Sequence, residues 1–86
     1  MKAMLVNVLK EEATVINMEE HPDYMNYIDG DIFDIVCKRI GNKYYDMIYT
    51  DLGEILIFNS SAKSVSGLKE NDIERINRHY CEIKTW

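Results

Sequence analysis

Asp29, Asp31 and Asp34 sit in the stretch Asp29-Gly30-Asp31-Ile32-Phe33-Asp34. Carboxylates so close together are the residue types that hold a hard cation through oxygen. Their spacing does not suit calcium. An EF-hand loop needs oxygen ligands at its first, third and fifth places, Gly at the sixth and Glu at the twelfth. Counted from Asp29, Gly30 takes the second place, Phe33 the fifth and Ile40 the twelfth. Zinc chemistry would have to come from His21, Cys37, His79 and Cys81, and no short ligand pair repeats among them. Ser60, Ser61 and Lys63 have the residue types of a Ser–Lys pair, in a stretch that reads as a polar loop. Glu54 or Asp46 could pair with His79 across a sheet. The chain has no nucleophile elbow, no phosphate loop and no His-Glu-x-x-His helix. No enzyme activity, cofactor or metal is therefore expected.

Charge is the stronger signal. Between Glu11 and Asp34 lie eight carboxylates and no Lys or Arg: Glu11, Glu12, Glu19, Glu20, Asp23, Asp29, Asp31 and Asp34. The formal charge of all 86 residues is only −5. Lys38, Arg39 and Lys43 follow at once, and residues 55–86 hold five bases against four acids. Clustered charge of one sign decides which partners approach a surface. The run can be a solvated face, or a surface that imitates a phosphate backbone and fills a basic groove. Strand alternation places Asp29 and Asp31 on one side and Asp34 on the other. Glu19, Glu20 and Asp23 gather at a helix start, and Glu11 and Glu12 sit apart at a turn. About five carboxylates can then share a surface, fewer than a DNA strand would offer at one charge per ~3.4 Å.

Eighty-six residues make one small α+β domain, residues 1–86, with one core and no room for a deep cleft. The apolar fraction of 47% and the single Pro argue for a folded chain. A pI near 4.9 argues against direct binding of nucleic acid or of an anionic membrane. No transmembrane run and no secretory signal is read, and two cysteines make no disulfide framework. A reducing cytoplasm is the expected location, with Cys37 and Cys81 as buried small apolar residues.

These residues need elements to position them. Residues 3–9 read as a first strand and Ala13 to Met18 as a second, paired as a hairpin. Glu20-His21-Pro22-Asp23 signals the start of a short helix, with Tyr24, Ile28 and Met25 or Tyr27 on one side and Gly30 as a left-handed stop. Ile32 to Ile40 is a strand with Phe33, Ile35 and Cys37 on one face and Ile32, Asp34, Val36 and Ile40 on the other. Gly41-Asn42 suits a type II′ turn, Lys43 to Thr50 returns, and Asp51-Leu52-Gly53 turns again into a strand from Glu54 to Asn59. Tyr44, Tyr45 and Tyr49 share one strand, so at least one is exposed or at an interface. Ser60 to Gly67 reads as a loop. Asn71 caps a helix from Asp72 with Ile73, Ile76 and Tyr80 in its stripe. The tail closes as a strand through Cys81, Ile83 and Thr85, or continues as helix to residue 84. The prediction is a mainly antiparallel sheet of four to six strands with two short helices.

Several short segments resemble a small uncharacterised family of accessory proteins from phages and mobile elements of Firmicutes. They are Met4-Leu5-Val6, Ile28-Asp29-Gly30-Asp31-Ile32-Phe33-Asp34-Ile35, Ile48-Tyr49-Thr50-Asp51-Leu52-Gly53-Glu54-Ile55 and Gly67-Leu68-Lys69-Glu70-Asn71. Asp31 replaces an aromatic of that pattern, Glu54 a Lys and Lys69 a Pro. The family has no assigned activity and transfers no site residues. The resemblance implies a context in which small proteins inhibit host defence systems, anti-CRISPR proteins among them.

The leading expectation is a non-enzymatic inhibitor or adaptor that binds a basic protein partner, a nucleic-acid-processing defence effector. Glu19, Glu20, Asp23, Asp29 and Asp31 supply charge, and Tyr24 and Tyr27 supply apolar anchors. One alternative is an oligomeric sponge for a nucleotide signal, using Lys38, Arg39, Lys43, Arg75 and Arg78. Another is a self-associating structural protein joined by a strand edge, with a homodimer as its simplest form.

Overall fold

Ile55, Leu56, Ile57 and Phe58 form an unbroken apolar run, the pattern of a strand buried on both faces. In the computed structural model, which describes residues 1–19, 23–59 and 67–85, that strand is the centre of the sheet. Among the described residues the elements are β1 (Lys2–Asn7), β2 (Glu12–Asn17), β3 (Ile32–Ile40), β4 (Lys43–Thr50), β5 (Glu54–Asn59), α1 (Glu70–Arg78) and α2 (Tyr80–Ile83). The strand order is β2-β1-β5-β4-β3, with every neighbouring pair antiparallel. This is an α+β fold with a five-stranded antiparallel sheet and two short helices. No described helix is long and apolar enough to cross a membrane.

Two apolar layers sandwich the sheet. On the helical face Met4, Val6, Ile40, Tyr45, Met47, Tyr49, Ile55 and Ile57 pack beneath Leu68, Ile76 and Ile83, with Ile73 and Tyr80 at the margin. On the opposite face Ala3, Ile48, Leu56 and Phe58 are covered by Met18 and Ile28, with Tyr24, Tyr27 and Ile32 packed around them. That second cover belongs to the chain between β2 and β3, and we call this the loop face. Each fully buried aliphatic side chain contributes roughly 1.5–3 kcal/mol.

Local turn chemistry agrees with expectation. Gly41 has φ +64 while Asn42 keeps a negative φ, as a type II′ turn demands, and Gly53 has φ +76. Tyr45 and Tyr49 are buried and Tyr44 is 58% exposed, so one tyrosine of β4 does face outward.

Other elements differ for identifiable reasons. β1 ends at Asn7, not at residue 9, because the Asn7 Oδ1 accepts the Lys10 N–H at 3.1 Å and starts the turn. The short helix is only a 3-10 turn over Tyr24–Asn26, capped by Asp23, whose Oδ1 accepts the Met25 N–H at 3.2 Å. Glu20, His21 and Pro22 lie outside the described residues. Gly30 is not a left-handed stop. A Cβ there would come within 2.7 Å of Asp51 Oδ1 and 2.8 Å of Thr50 Oγ1, so close approach is what demands glycine.

In β3 the register slips between Ile32 and Asp34, a β-bulge. Phe33 therefore leaves the face of Ile35 and Cys37, and its ring meets Tyr49 edge-on at 6.2 Å. Helix α1 starts one residue before Asn71, and its first-turn contact is made by Asp72, which accepts the Lys69 N–H at 2.9 Å. The tail forms no strand. Ile73, Ile76, Tyr80 and Ile83 follow helical spacing, and burying that stripe outweighs the alternation of residues 81–85. The helix does break at His79, so it is not continuous to residue 84. Cys37 and Cys81 are exposed, not buried. The loop at residues 60–66 and Trp86 lie outside the described residues.

Candidate functional site

The acidic segment is built from its apolar residues upward. Met18 and Ile28 are buried in the apolar layer of the loop face of the sheet. Between them the Tyr24 ring stacks on Phe58, centroids 5.3 Å apart and planes 18° from parallel. The Tyr27 hydroxyl accepts the Glu19 N–H at 3.1 Å. Both tyrosines are half-buried, so each anchors the segment to the core and shows only part of its ring outward.

The C-terminal end is held by buried acid. Glu54 opens β5, and one of its oxygens accepts the Asp29 N–H at 3.0 Å, the Gly30 N–H at 2.7 Å and the Thr50 hydroxyl at 3.1 Å. Its other oxygen receives the Asp29 N–H at 3.1 Å. Asp51 Oδ1 accepts the Asp31 N–H at 2.8 Å, and the Asp51 N–H donates to the Asp31 carbonyl at 3.0 Å. A carboxylate satisfied by main-chain donors fixes a loop firmly, because each buried N–H is costly to leave unpaired. Glu54 therefore serves the 29–31 turn and does not reach His79, whose Nδ1 lies 3.4 Å from Glu82.

With the main chain so fixed, the side chains of Glu19, Asp23, Asp29 and Asp31 are all exposed. Among the described residues none of the four is in an ion pair. Asp34 is separated from them. It opposes Tyr49 and so lies on the helical face. Glu11 and Glu12 stand at the β1–β2 turn, where Glu11 is 3.9 Å from Lys84. The seven described carboxylates of the run thus divide into three groups.

Asp29 also borders a cleft of about 230 Å³ with Asn7, Leu9, Lys10, Leu52 and Glu54. A second cleft of about 170 Å³ lies between Phe33, Tyr49, Thr50 and Lys84. Both fall below the ~300–1,000 Å³ of small-molecule sites. Among the described residues no group of three or more His, Cys, Asp or Glu could hold a metal ion.

A cluster that sequence reading did not assemble lies on the helical face. The buried Asp72 Oδ1 accepts from Lys43 Nζ at 2.8 Å, the Tyr45 hydroxyl at 2.6 Å and Arg75 at 3.2 Å. Arg75 also donates to the Tyr45 oxygen at 2.6 Å. Burial opposes ionisation of Asp72, but the bonds from Lys43, Tyr45 and the Lys69 N–H overcome it and hold the carboxyl down at about 2. Burial, then the bond to Asp72, pushes the Tyr45 hydroxyl up to about 12. Neither group is tuned to exchange protons near neutral pH. Two of the bases in the nucleotide-sponge reading, Lys43 and Arg75, are therefore committed to Asp72, while Arg39 and Arg78 are exposed. The available signal was slight: an acid in a helix's first turn facing a strand that carries Lys43 and Tyr45.

The chain matches no protein-family model, and neither the curated proteins nor the solved structures contain a match to it.

Proposed function

We propose that this protein is a non-enzymatic inhibitor or adaptor that docks its acidic segment onto a basic protein surface. One observation carries the reading: Glu19, Asp23, Asp29 and Asp31 expose their carboxylates on a segment whose main chain is pinned at both ends. Preorganised charge attracts a basic partner without the ordering cost a flexible acidic tail would carry. Glu20 adds charge to the same segment by sequence. Tyr24 and Tyr27 offer amphipathic contact at its centre, a composition that interfaces favour. The resemblance to accessory proteins of mobile elements supports a nucleic-acid-processing defence effector of the host as the partner, since such proteins carry basic grooves.

The test is affinity capture from a Firmicutes host lysate with the native chain and with an Asp23→Lys, Asp29→Lys, Asp31→Lys variant. A specific partner should be retained by the native chain, lost by at least ~10-fold in the variant, and released more easily as salt rises. Equal retention by both chains, or retention indifferent to salt, removes the acidic segment as the docking surface.

A further inference from the structure

The strand order ends at β3, and among the described residues no strand lies beyond it. Its nine residues contain no Pro. Phe33 and Ile35 on it are 66% and 64% exposed. A row of main-chain groups with apolar side chains beside it is a template for another strand, and natural sheets shorten, cover or charge such an edge. The bulge at Phe33 restricts the template at one end; residues 34–40 keep a regular register with β4.

Hairpin geometry says which groups face outward. Ile40 and Lys43 flank a two-residue turn, so this pair exchanges its main-chain bonds within the hairpin. Alternation then turns the main chain of Lys38, Val36 and Asp34 towards β4, and that of Arg39, Cys37 and Ile35 towards the open side.

We infer that β3 pairs with β3 of a second copy of this chain, antiparallel, about a two-fold axis through Val36. The strand is self-complementary about that residue. The axis sets Asp34 opposite Lys38 of the second copy, and Lys38 opposite its Asp34, so two ion pairs form. Both side chains belong to the helical face, because Asp34 opposes Tyr49 and Lys38 opposes Tyr45. The Lys38 ammonium already lies on that face, 5.3 Å from the Tyr49 ring centroid. On the loop face Ile35 meets Cys37 of the second copy, which covers an exposed aliphatic side chain. Val36 meets its own copy.

Shifting the axis to Cys37 would set Asp34 against Ile40 and Ile35 against Arg39. Shifting it to Ile35 would set Asp34 against Val36 and Lys38 against Ile32. Only the Val36 register pairs the charges. The other edge, β2, carries Glu12 as its single charged residue and has no base to answer it. The contact is isologous and closes at two copies. It uses no residue of the acidic docking segment, so the two proposals stand or fall separately.

A contact of this size belongs with small interfaces, below about 1,200 Å². The dimer should therefore dissociate on dilution. Sedimentation equilibrium of the native chain over a concentration series should show a monomer–dimer equilibrium. Asp34→Lys and Lys38→Asp, each alone, should weaken association ~10-fold or more, because two opposite-charge contacts become like-charge contacts. The double variant should restore it. Ile35→Lys, at an exposed position, should weaken it without either charge swap, and circular dichroism verifies the fold of every variant. A monomer at all concentrations overturns the proposal. So do a dimer indifferent to these substitutions, a double variant that stays monomeric, and growth into species larger than two.

Discussion

Asp72 ties the helical layer to β4 through side-chain hydrogen bonds. It is fully buried and accepts four hydrogen bonds, three from side chains and one from the Lys69 main chain. Asp72→Ala would leave the Tyr45 hydroxyl and Lys43 without their acceptor, with Arg75 keeping only the Tyr45 oxygen, and should cost about 3 kcal/mol in denaturant unfolding. The same cluster sets the pH range of the fold. A carboxyl held at about 2 against an ordinary 3.8 adds stability above the higher value and loses it as pH falls through the lower. A tyrosine raised from 10.0 to about 12 adds stability below the lower value and loses it as pH rises through the higher. Stability should be flat through neutrality, then fall between about pH 4 and pH 2 and again between about pH 10 and pH 12. Asp72→Asn should remove much of the acid arm, which thermal unfolding against pH would reveal. Glu11 adopts φ +54, a left-handed conformation costly for Glu. Glu11→Asn should raise stability by about 0.5–1 kcal/mol in the same assay.

At the scale of elements, the cover on the loop face is joined to the sheet through Glu54, Asp51 and Gly30. Glu54→Gln places an amide against the N–H donors of Asp29 and Gly30 and should cost about 1–3 kcal/mol. Hydrogen exchange at residues 29–31 should accelerate while the β4–β5 amides stay protected. Unchanged exchange at 29–31 would show that the segment is held by Tyr24 and Ile28 packing alone. Turns that obey short-range rules were legible: Gly41-Asn42 and Gly53 carry their φ requirement in the residue type. The reason for Gly30 was not legible, because it comes from Asp51 and Thr50 packed against it across the fold. Nor was the bulge at Phe33, since Phe33 suits either face and the choice rests on Tyr49 of the neighbouring strand.

At the scale of the whole molecule, a formal charge of −5 is distributed unevenly. Four exposed carboxylates project from the loop-face cover, and the Lys43–Asp72–Arg75 cluster lies on the helical face. Repulsion within the acidic segment should be relieved as the screening length shortens from ~30 Å to ~8 Å between ~0.01 M and ~0.15 M salt. The thermal midpoint should therefore rise over that range, and the Asp23→Lys, Asp29→Lys, Asp31→Lys variant should show a smaller rise. An equal rise in both chains would place the strain elsewhere in the molecule.

The alternation of β4 and of β3 beyond its bulge, the unbroken run of β5 and the turns at Gly41 and Gly53 were determined by residue order alone, because each depends on neighbours two to four positions away. So was the presence of a dense acidic stretch between Glu11 and Asp34. Only the tertiary structure decided that β1 pairs with β5, since that pairing joins residues some fifty positions apart and nothing local encodes it. It also decided what the acids do. Glu54 and Asp72 became buried acceptors because donors from distant elements converge on them. Glu19, Asp23, Asp29 and Asp31 remained outside, because the apolar residues between them were taken up by the sheet.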